Sequence, residues 1–82
     1  MFTNKSHDGR NNICGTQIAK YRKELRKSQR ELVDALQLLG LDVDKNAIQR
    51  IEAGKRFVTD IELVYLAKVL RVTYEDLLNN HE

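Results

Sequence analysis

Four polar side chains near the middle of the sequence have the chemistry needed to read nucleic-acid bases. They are Lys45, Asn46, Gln49 and Arg50. An arginine can donate to two acceptors on a guanine, and an asparagine can bond both the donor and the acceptor of an adenine, so Arg50 and Asn46 are the natural base readers. Lys45 could reach a guanine or a phosphate, and Gln49 is the weaker candidate. The alternative is that these are ordinary polar residues on an exposed helix.

Helical spacing predicts that these side chains share one face. Ile48 and Ile51 must point toward a core, which leaves positions 45, 46, 49 and 50 facing outward. Asp44 is a good capping residue ahead of Ile48, and Gly54 supplies the left-handed residue that ends a helix. We therefore predict a helix over 45–53, short enough to lie in a major groove.

A second capped helix precedes this one. Ser28 can accept from the N–H groups of the helix that follows, while Glu31 reaches back to the Ser28 N–H. This capping box predicts that helix 2 starts at Ser28. Two short capped helices in succession, the second basic and rich in amides, are the layout of a DNA-reading helix-turn-helix.

The other helices follow from apolar stripes and caps. Thr59 with Glu62 makes a second capping box that opens helix 4, and Thr73 caps a last short helix. The predicted buried stripes are Ile18, Tyr21 and Leu25 in helix 1; Leu32, Leu36 and Leu39 in helix 2; and Leu63, Leu66, Ala67 and Leu70 in helix 4, while helix 5 carries Leu77 and Leu78. No β-alternating segment persists, so we predict an all-α fold of five helices.

The charge of the sequence is polarised along the chain. Residues 1–30 hold eight Lys or Arg against two Asp or Glu, a balance of +6, whereas residues 31–82 hold six against ten, a balance of −4. The segment 20–30 contains six cations and one carboxylate, Glu24. Such a density suits a polyanion surface, although a charge run by itself is typical of a solvated helix face. Its position ahead of the capped helix pair favours contact with phosphates.

Size and composition argue against an enzyme, a metal site and a membrane protein. Eighty-two residues with 41% hydrophobic content fit one small domain, which we place at 13–82 behind a flexible arm at 1–12. His7 and His81 lie at opposite ends and Cys14 is the only cysteine, so we expect no zinc set, no disulfide and no cofactor. We interpret Cys14 as a half-buried small hydrophobe. With no long apolar run, the protein is expected in the cytoplasm.

Together these residues resemble the Cro and lambda-repressor type of helix-turn-helix, also called XRE-like, over 15–78. The carriers of the resemblance are Gly15-Thr-Gln-Ile18 with Arg22, Ser28-Gln29 with Leu32, Ile48-Gln-Arg-Ile51-Glu52-Ala-Gly54-Lys55, Leu66-Ala67 with Leu70, and Val72-Thr73 with Leu77. The resemblance implies a compact lambda-repressor-like fold and a DNA-binding transcription regulator, by preference a repressor. It also implies a homodimer on a two-fold symmetric double-stranded DNA operator.

The resemblance assigns roles to individual residues. The family's base-contacting positions map onto Lys45, Asn46 and Arg50. Its backbone-gripping glutamine is Gln29, at a helix N-terminus that already favours an anion. Further phosphate candidates are Thr16, Gln17, Lys55 and Arg56. The family also places an interhelical ion pair at the positions of Arg22 and Glu52, and we expect this pair to be structural.

The connection between helices 2 and 3 departs from the family pattern. Members usually have a tight turn, whereas this chain has residues 37–43 between Leu36 and Asp44. Either helix 2 runs a further turn to Leu39, or a longer loop packs Leu41 and Val43 under helix 3. We expect both, with Gly40 in the left-handed terminating conformation.

Two further expectations concern partners. A dimer surface is expected from the C-terminal segment 73–82, with Tyr74 or Leu78 exposed. The alternative function is a protein-interaction module that retains the fold, or an antitoxin-type regulator bound to a partner protein. Leu38, Leu39 and Leu41 give this alternative its apolar surface.

Overall fold

The computed structural model describes residue 5 and residues 8–79 of the chain. The helices are α1 (Gly15–Glu24), α2 (Gln29–Leu38), α3 (Lys45–Glu52), α4 (Asp60–Leu70) and α5 (Tyr74–Leu78), and this part of the chain contains no strand. The predicted all-α arrangement of five helices is confirmed. His7, His81 and most of segment 1–7 lie outside the described residues.

Side-chain caps determine where the helices begin. Three helices open with a reciprocal capping pair: Ser28 with Glu31, Thr59 with Glu62, and Thr73 with Asp76. Helix α3 opens with Asp44, whose Oδ1 accepts from the Ala47 N–H at 2.8 Å. Each such cap contributes roughly 1 kcal/mol to helix stability. The predicted starts of α2, α3, α4 and α5 are therefore confirmed.

The core lies where α4 packs against α1 and α2, with α3 against α1 and α2 and α5 against α1 and α4. Its fully buried side chains are Ile18, Leu32, Val33, Leu36, Ile48, Ile51, Leu66 and Leu77. Cys14 is 3% exposed and belongs to this core, so the half-buried position expected from the sequence is wrong.

Two residues assigned to the buried stripes are exposed instead. Leu25 is 39% and Leu39 46% exposed. Each is the residue that terminates its helix, where the chain turns away and the helical stripe no longer faces the core. After Leu25 the chain takes a positive φ of 59° at Arg26. The predicted stripes were therefore wrong at their C-terminal ends.

The connection between α2 and α3 combines the two expected features. Helix α2 extends to Leu38, and Gly40 follows with a φ of +101°. The Leu41 N–H donates to the Leu36 carbonyl at 3.0 Å, which closes the end of α2. Val43 is 6% exposed and packs in the core ahead of α3. The longer connection thus supplies an additional core residue under the helix pair.

Ordered contacts begin ahead of the domain boundary predicted at Ile13. The side chains of Arg10, Asn11 and Asn12 all donate to backbone carbonyls at or just after the end of α3. We call residues 10–12 the N-terminal clamp. The described residues include no helix with the length and hydropathy of a membrane span.

Candidate nucleic-acid interface

Helix α3 separates an apolar inner face from a polar outer face. Ile48 and Ile51 are each 1% exposed, whereas Lys45, Asn46, Gln49 and Arg50 are all exposed. Eight residues at 1.5 Å rise make a helix about 12 Å long, comparable to the width of the major groove. The outer face of this short helix therefore presents one ammonium group, two side-chain amides and one guanidinium as hydrogen-bond donors.

A buried ion pair ties the end of α3 to α1. The Arg22 Nε lies 2.7 Å from Glu52 Oε2, and Arg22 Nη2 lies 3.0 Å from Glu52 Oε1. The two side chains are 10% and 9% exposed. Arg22 Nη1 also donates to the Lys27 carbonyl at 2.8 Å, just ahead of α2. The pair that the resemblance implied is present, and it joins the ends of α1 and α3.

Gln29 extends this network to α2. Its Nε2 donates to Glu52 Oε1 at 2.9 Å, so the Glu52 carboxylate accepts from both Arg22 and Gln29. A side-chain amide carries two N–H donors, and this contact uses one of them. Gln29 can therefore hold α3 and still offer a donor at the N-terminus of α2.

The other phosphate candidates fall into two groups. Thr16 and Lys55 are exposed at the start of α1 and just beyond α3. Gln17 Nε2 instead donates to the Asp76 carbonyl of α5 at 3.2 Å. Arg56 is likewise engaged, with the Glu62 carboxylate. The structure thus brings Gln29, Arg22 and Glu52 together and directs Gln17 and Arg56 toward partners elsewhere in the domain.

Arg56 belongs to the cap of α4. Its Nη1 and Nη2 lie 3.0 and 2.8 Å from the two carboxylate oxygens of Glu62. The same carboxylate accepts from the Thr59 N–H at 3.0 Å. The hydrogen bond from Arg56, together with the Thr59 N–H, lowers the pKa of Glu62 below its ordinary value of 4.5.

The N-terminal clamp was missed by the sequence analysis. Asn12 Nδ2 donates to the Ile51 carbonyl at 3.0 Å and to the Arg56 carbonyl at 2.7 Å. Its Oδ1 accepts from the Gly15 N–H at 2.8 Å. One feature of the sequence could have identified Asn12: asparagine next to the start of a helix is a common capping residue. Nothing local indicated that the same side chain bonds to residues about 40 positions away.

Comparison with known proteins identifies the family of this chain. A family model described as Helix-turn-helix matches residues 18–77, which includes α2, α3 and the connection between them. No curated protein matches the chain.

Two solved structures share the architecture. The crystal structure of the clp gene regulator ClgR from Corynebacterium glutamicum has a TM-score of 0.72 at 20% identity, over 84% of this chain and 68% of that chain. The restriction-modification controller protein C.AhdI from Aeromonas hydrophila has a TM-score of 0.69 at 22% identity, over 79% of this chain and 91% of that one. At such identities the likeness establishes the lambda-repressor-like fold. Because the family match spans most of its length, the chain belongs to the XRE-type helix-turn-helix family of DNA-binding transcription regulators.

Proposed function

We propose that this regulator is a sequence-specific repressor that reads the major groove with the outer face of α3. One observation carries the proposal. The four polar side chains at 45, 46, 49 and 50 are exposed together, while the isoleucines between them are buried. Arg50 and Asn46 are the proposed base readers because their side chains can each make a bidentate contact with one base. Lys45 and Gln49 extend the reading surface.

Phosphate contacts are proposed on either side of α3. Gln29 lies at the start of α2, where unpaired backbone N–H groups favour an anion, and Lys55 follows the end of α3. Thr16 is a further candidate at the start of α1. Gln17 and Arg56 would first have to leave the Asp76 carbonyl and the Glu62 carboxylate, which makes them weaker candidates. The surplus of cations in residues 1–30 supports a polyanionic partner.

The test begins with selection of bound sequences from a random DNA pool. On the selected site, Arg50→Ala should weaken binding by roughly 1 to 3 kcal/mol and relax the preference at one base pair. Lys55→Ala should weaken binding about equally on all sequences, since a phosphate contact does not discriminate. Arg71→Ala is the matched control, because it removes one exposed arginine at the C-terminal end of α4. An unchanged preference profile in Arg50→Ala would remove this residue from the base readers.

Dimerisation on DNA is proposed through an apolar face near the C-terminal end. Tyr74 is 52% and Leu78 43% exposed, and Ile61 and Val64 on α4 are 64% and 38% exposed. Val64 and Tyr74 line one shared groove, so α4 and α5 contribute to a continuous surface. A single short helix covers only a few base pairs, which favours two subunits on two half-sites. A dimer that occupies both half-sites also blocks the DNA between them, which is why we prefer a repressor.

A second candidate function is a protein-interaction module. It is favoured by Leu38, which is 88% exposed at the end of α2 and lines a groove of about 500 Å³ together with Leu25 and Leu39. Leu41, assigned to the same surface from the sequence, is partly buried against the core. The salt dependence of DNA binding separates the two functions. A DNA reader loses affinity steeply as salt rises, whereas a protein-interaction module has no such phosphate-dependent slope.

A further inference from the structure

At the C-terminal end of α3, only some of the backbone carbonyls accept hydrogen bonds from the backbone that follows the helix. The Lys55 N–H donates to the Arg50 carbonyl at 2.9 Å and the Gly54 N–H to the Ile51 carbonyl at 3.0 Å, which is a Schellman motif. Gly54 adopts a φ of +79° to make it. These bonds do not use the carbonyl of Glu52 or the carbonyls of 54–56. A helix end needs other partners for such groups.

The N-terminal clamp supplies those partners. Arg10 Nη2 donates to the Glu52 carbonyl at 2.9 Å, and the Asn11 N–H donates to the Gly54 carbonyl at 2.8 Å. Asn11 Nδ2 donates to the Lys55 carbonyl at 3.2 Å, and Asn12 Nδ2 donates to the Arg56 carbonyl at 2.7 Å. The Arg10 cation also lies at the negative end of the α3 dipole. The clamp therefore continues the hydrogen bonding of α3 beyond its last turn.

Close packing leaves the clamp little room to move. A Cβ built on Gly54 would lie 2.6 Å from the Arg10 Cζ, and one built on Gly15 would overlap the carbonyl oxygen of Ile51. Both glycines are buried. The absence of a side chain at these positions is what lets the clamp approach the end of α3.

We propose that Arg10 and Asn12 are positioning residues for base reading, which rests on the proposed reading role of α3. Ile48 and Ile51 hold the inner face of α3 in the core, and the Glu52 carboxylate holds its C-terminal end. Side-chain packing of this kind still permits a small tilt of the helix. A tilt of about 10° moves the far end of a helix about 12 Å long by about 2 Å. Hydrogen bonds to bases tolerate only a few tenths of an ångström. The clamp adds hydrogen bonds to the backbone carbonyls of Ile51 and Glu52, and these bonds limit the tilt.

The two kinds of DNA contact should respond differently when the clamp is loosened. Base contacts need α3 at one angle, whereas long lysine and arginine side chains can follow phosphates through a small tilt. Loosening the clamp should therefore reduce the preference for the selected site and leave general DNA binding intact. A purely stabilising clamp would instead change only the fraction of folded protein, and both kinds of binding would fall together.

The experiment compares wild type with Asn12→Ala and Arg10→Lys, neither of which changes the net charge. Dissociation constants are measured on the selected site and on an unrelated duplex of equal length, at a temperature where circular dichroism shows a folded protein. We expect affinity for the selected site to fall about tenfold and affinity for the unrelated duplex to change less than about twofold. Arg10→Lys retains the cation and is the milder change. If Asn12→Ala does not fold, the ratio of the two affinities in Arg10→Lys still tests the positioning role.

Leu66→Val is the stability control, because it trims a buried core side chain of α4 and leaves the clamp intact. It should not alter the ratio of the two affinities. An unchanged ratio in both clamp variants would overturn the positioning role while leaving base reading by α3 in place. A wild-type protein with no preference for any sequence would instead overturn the reading role itself, and the positioning role with it.

Discussion

At the scale of single residues, Glu52 accepts hydrogen bonds from three different side chains. Its carboxylate accepts two hydrogen bonds from Arg22 and one from Gln29, and its backbone carbonyl accepts from Arg10. The side chains of Arg22 and Glu52 are both about nine-tenths covered. A charge so placed is tolerated while its partner remains, because removing one member leaves the other buried and unpaired.

Removing one member of this pair should destabilise the protein more than removing both. We expect Glu52→Ala to lower the free energy of unfolding by about 3 to 5 kcal/mol, because the Arg22 guanidinium loses its counter-charge. The double variant Arg22→Met with Glu52→Met should lose less than Glu52→Ala, since no buried charge remains. Urea denaturation measures all three proteins, with Glu24→Ala as an exposed control on α1. A double variant that loses as much stability as Glu52→Ala, or more, would contradict this prediction.

The positions and contacts of individual residues could be predicted from the sequence to different degrees. The outer face of α3 followed from the spacing of Ile48 and Ile51, because helical geometry is local. The partner of Arg22 came with the family resemblance, since no local rule connects two residues 30 positions apart. No local pattern indicated that Arg56 would bond to Glu62 rather than face solvent, because that contact depends on how the turn before α4 folds.

At the scale of helices, the N-terminus of α4 should make stability depend on pH. The pKa of Glu62 is lowered by its hydrogen bond with Arg56, so the ionised carboxylate is favoured in the folded state. The resulting stability is present above the ordinary pKa of 4.5 and is lost as the pH falls through the lower folded value. Thermal unfolding between pH 6 and about pH 3 should therefore show a falling midpoint.

Glu62→Gln should flatten this acid loss, because the glutamine does not titrate. Part of the loss will remain, since the Ser28 N–H lowers the pKa of Glu31 in the same way at the start of α2. Glu24→Gln, at an exposed position on α1, should keep the wild-type profile. The same acid profile in Glu62→Gln and wild type would show that the α4 cap does not contribute.

Helix starts were predicted better than helix ends. A capping box is four residues long, so it can be recognised from sequence without knowing the fold. The exposure of Leu25 and Leu39 depends on where the chain leaves each helix, which is decided by turns and packing. The N-terminal clamp was invisible for a stronger reason: its bonds join residues 39 to 44 positions apart, and polar residues ahead of a helix are typical of a mobile arm as well.

At the scale of the whole molecule, the proposed dimer face can be disrupted without touching α3. We expect Val64→Lys to abolish paired binding on the selected site, because it places a charge in the apolar groove that Val64 shares with Tyr74. Analytical ultracentrifugation with and without the site measures the stoichiometry. Leu38→Lys, at the exposed end of α2, is the matched control and should leave two subunits on the DNA.

The symmetry of the selected site gives an independent check. Two subunits predict an inverted repeat with half-sites about one helical turn apart, or a multiple of it. One subunit bound to a site that lacks such a repeat would rule out the proposed dimer. A dimer that forms only on DNA would agree with it, since a small apolar face buries little area.

The burial of Cys14 has a practical consequence for following this protein on DNA. It is the only cysteine in the sequence and is 3% exposed, and burial raises the pKa of its thiol to about 11. The native protein should therefore react slowly with maleimides near neutral pH. A new cysteine at exposed Asp42, ahead of α3, would then be labelled selectively without removing the native one. A fluorophore attached there would report the approach of the duplex to the reading helix in an otherwise wild-type domain.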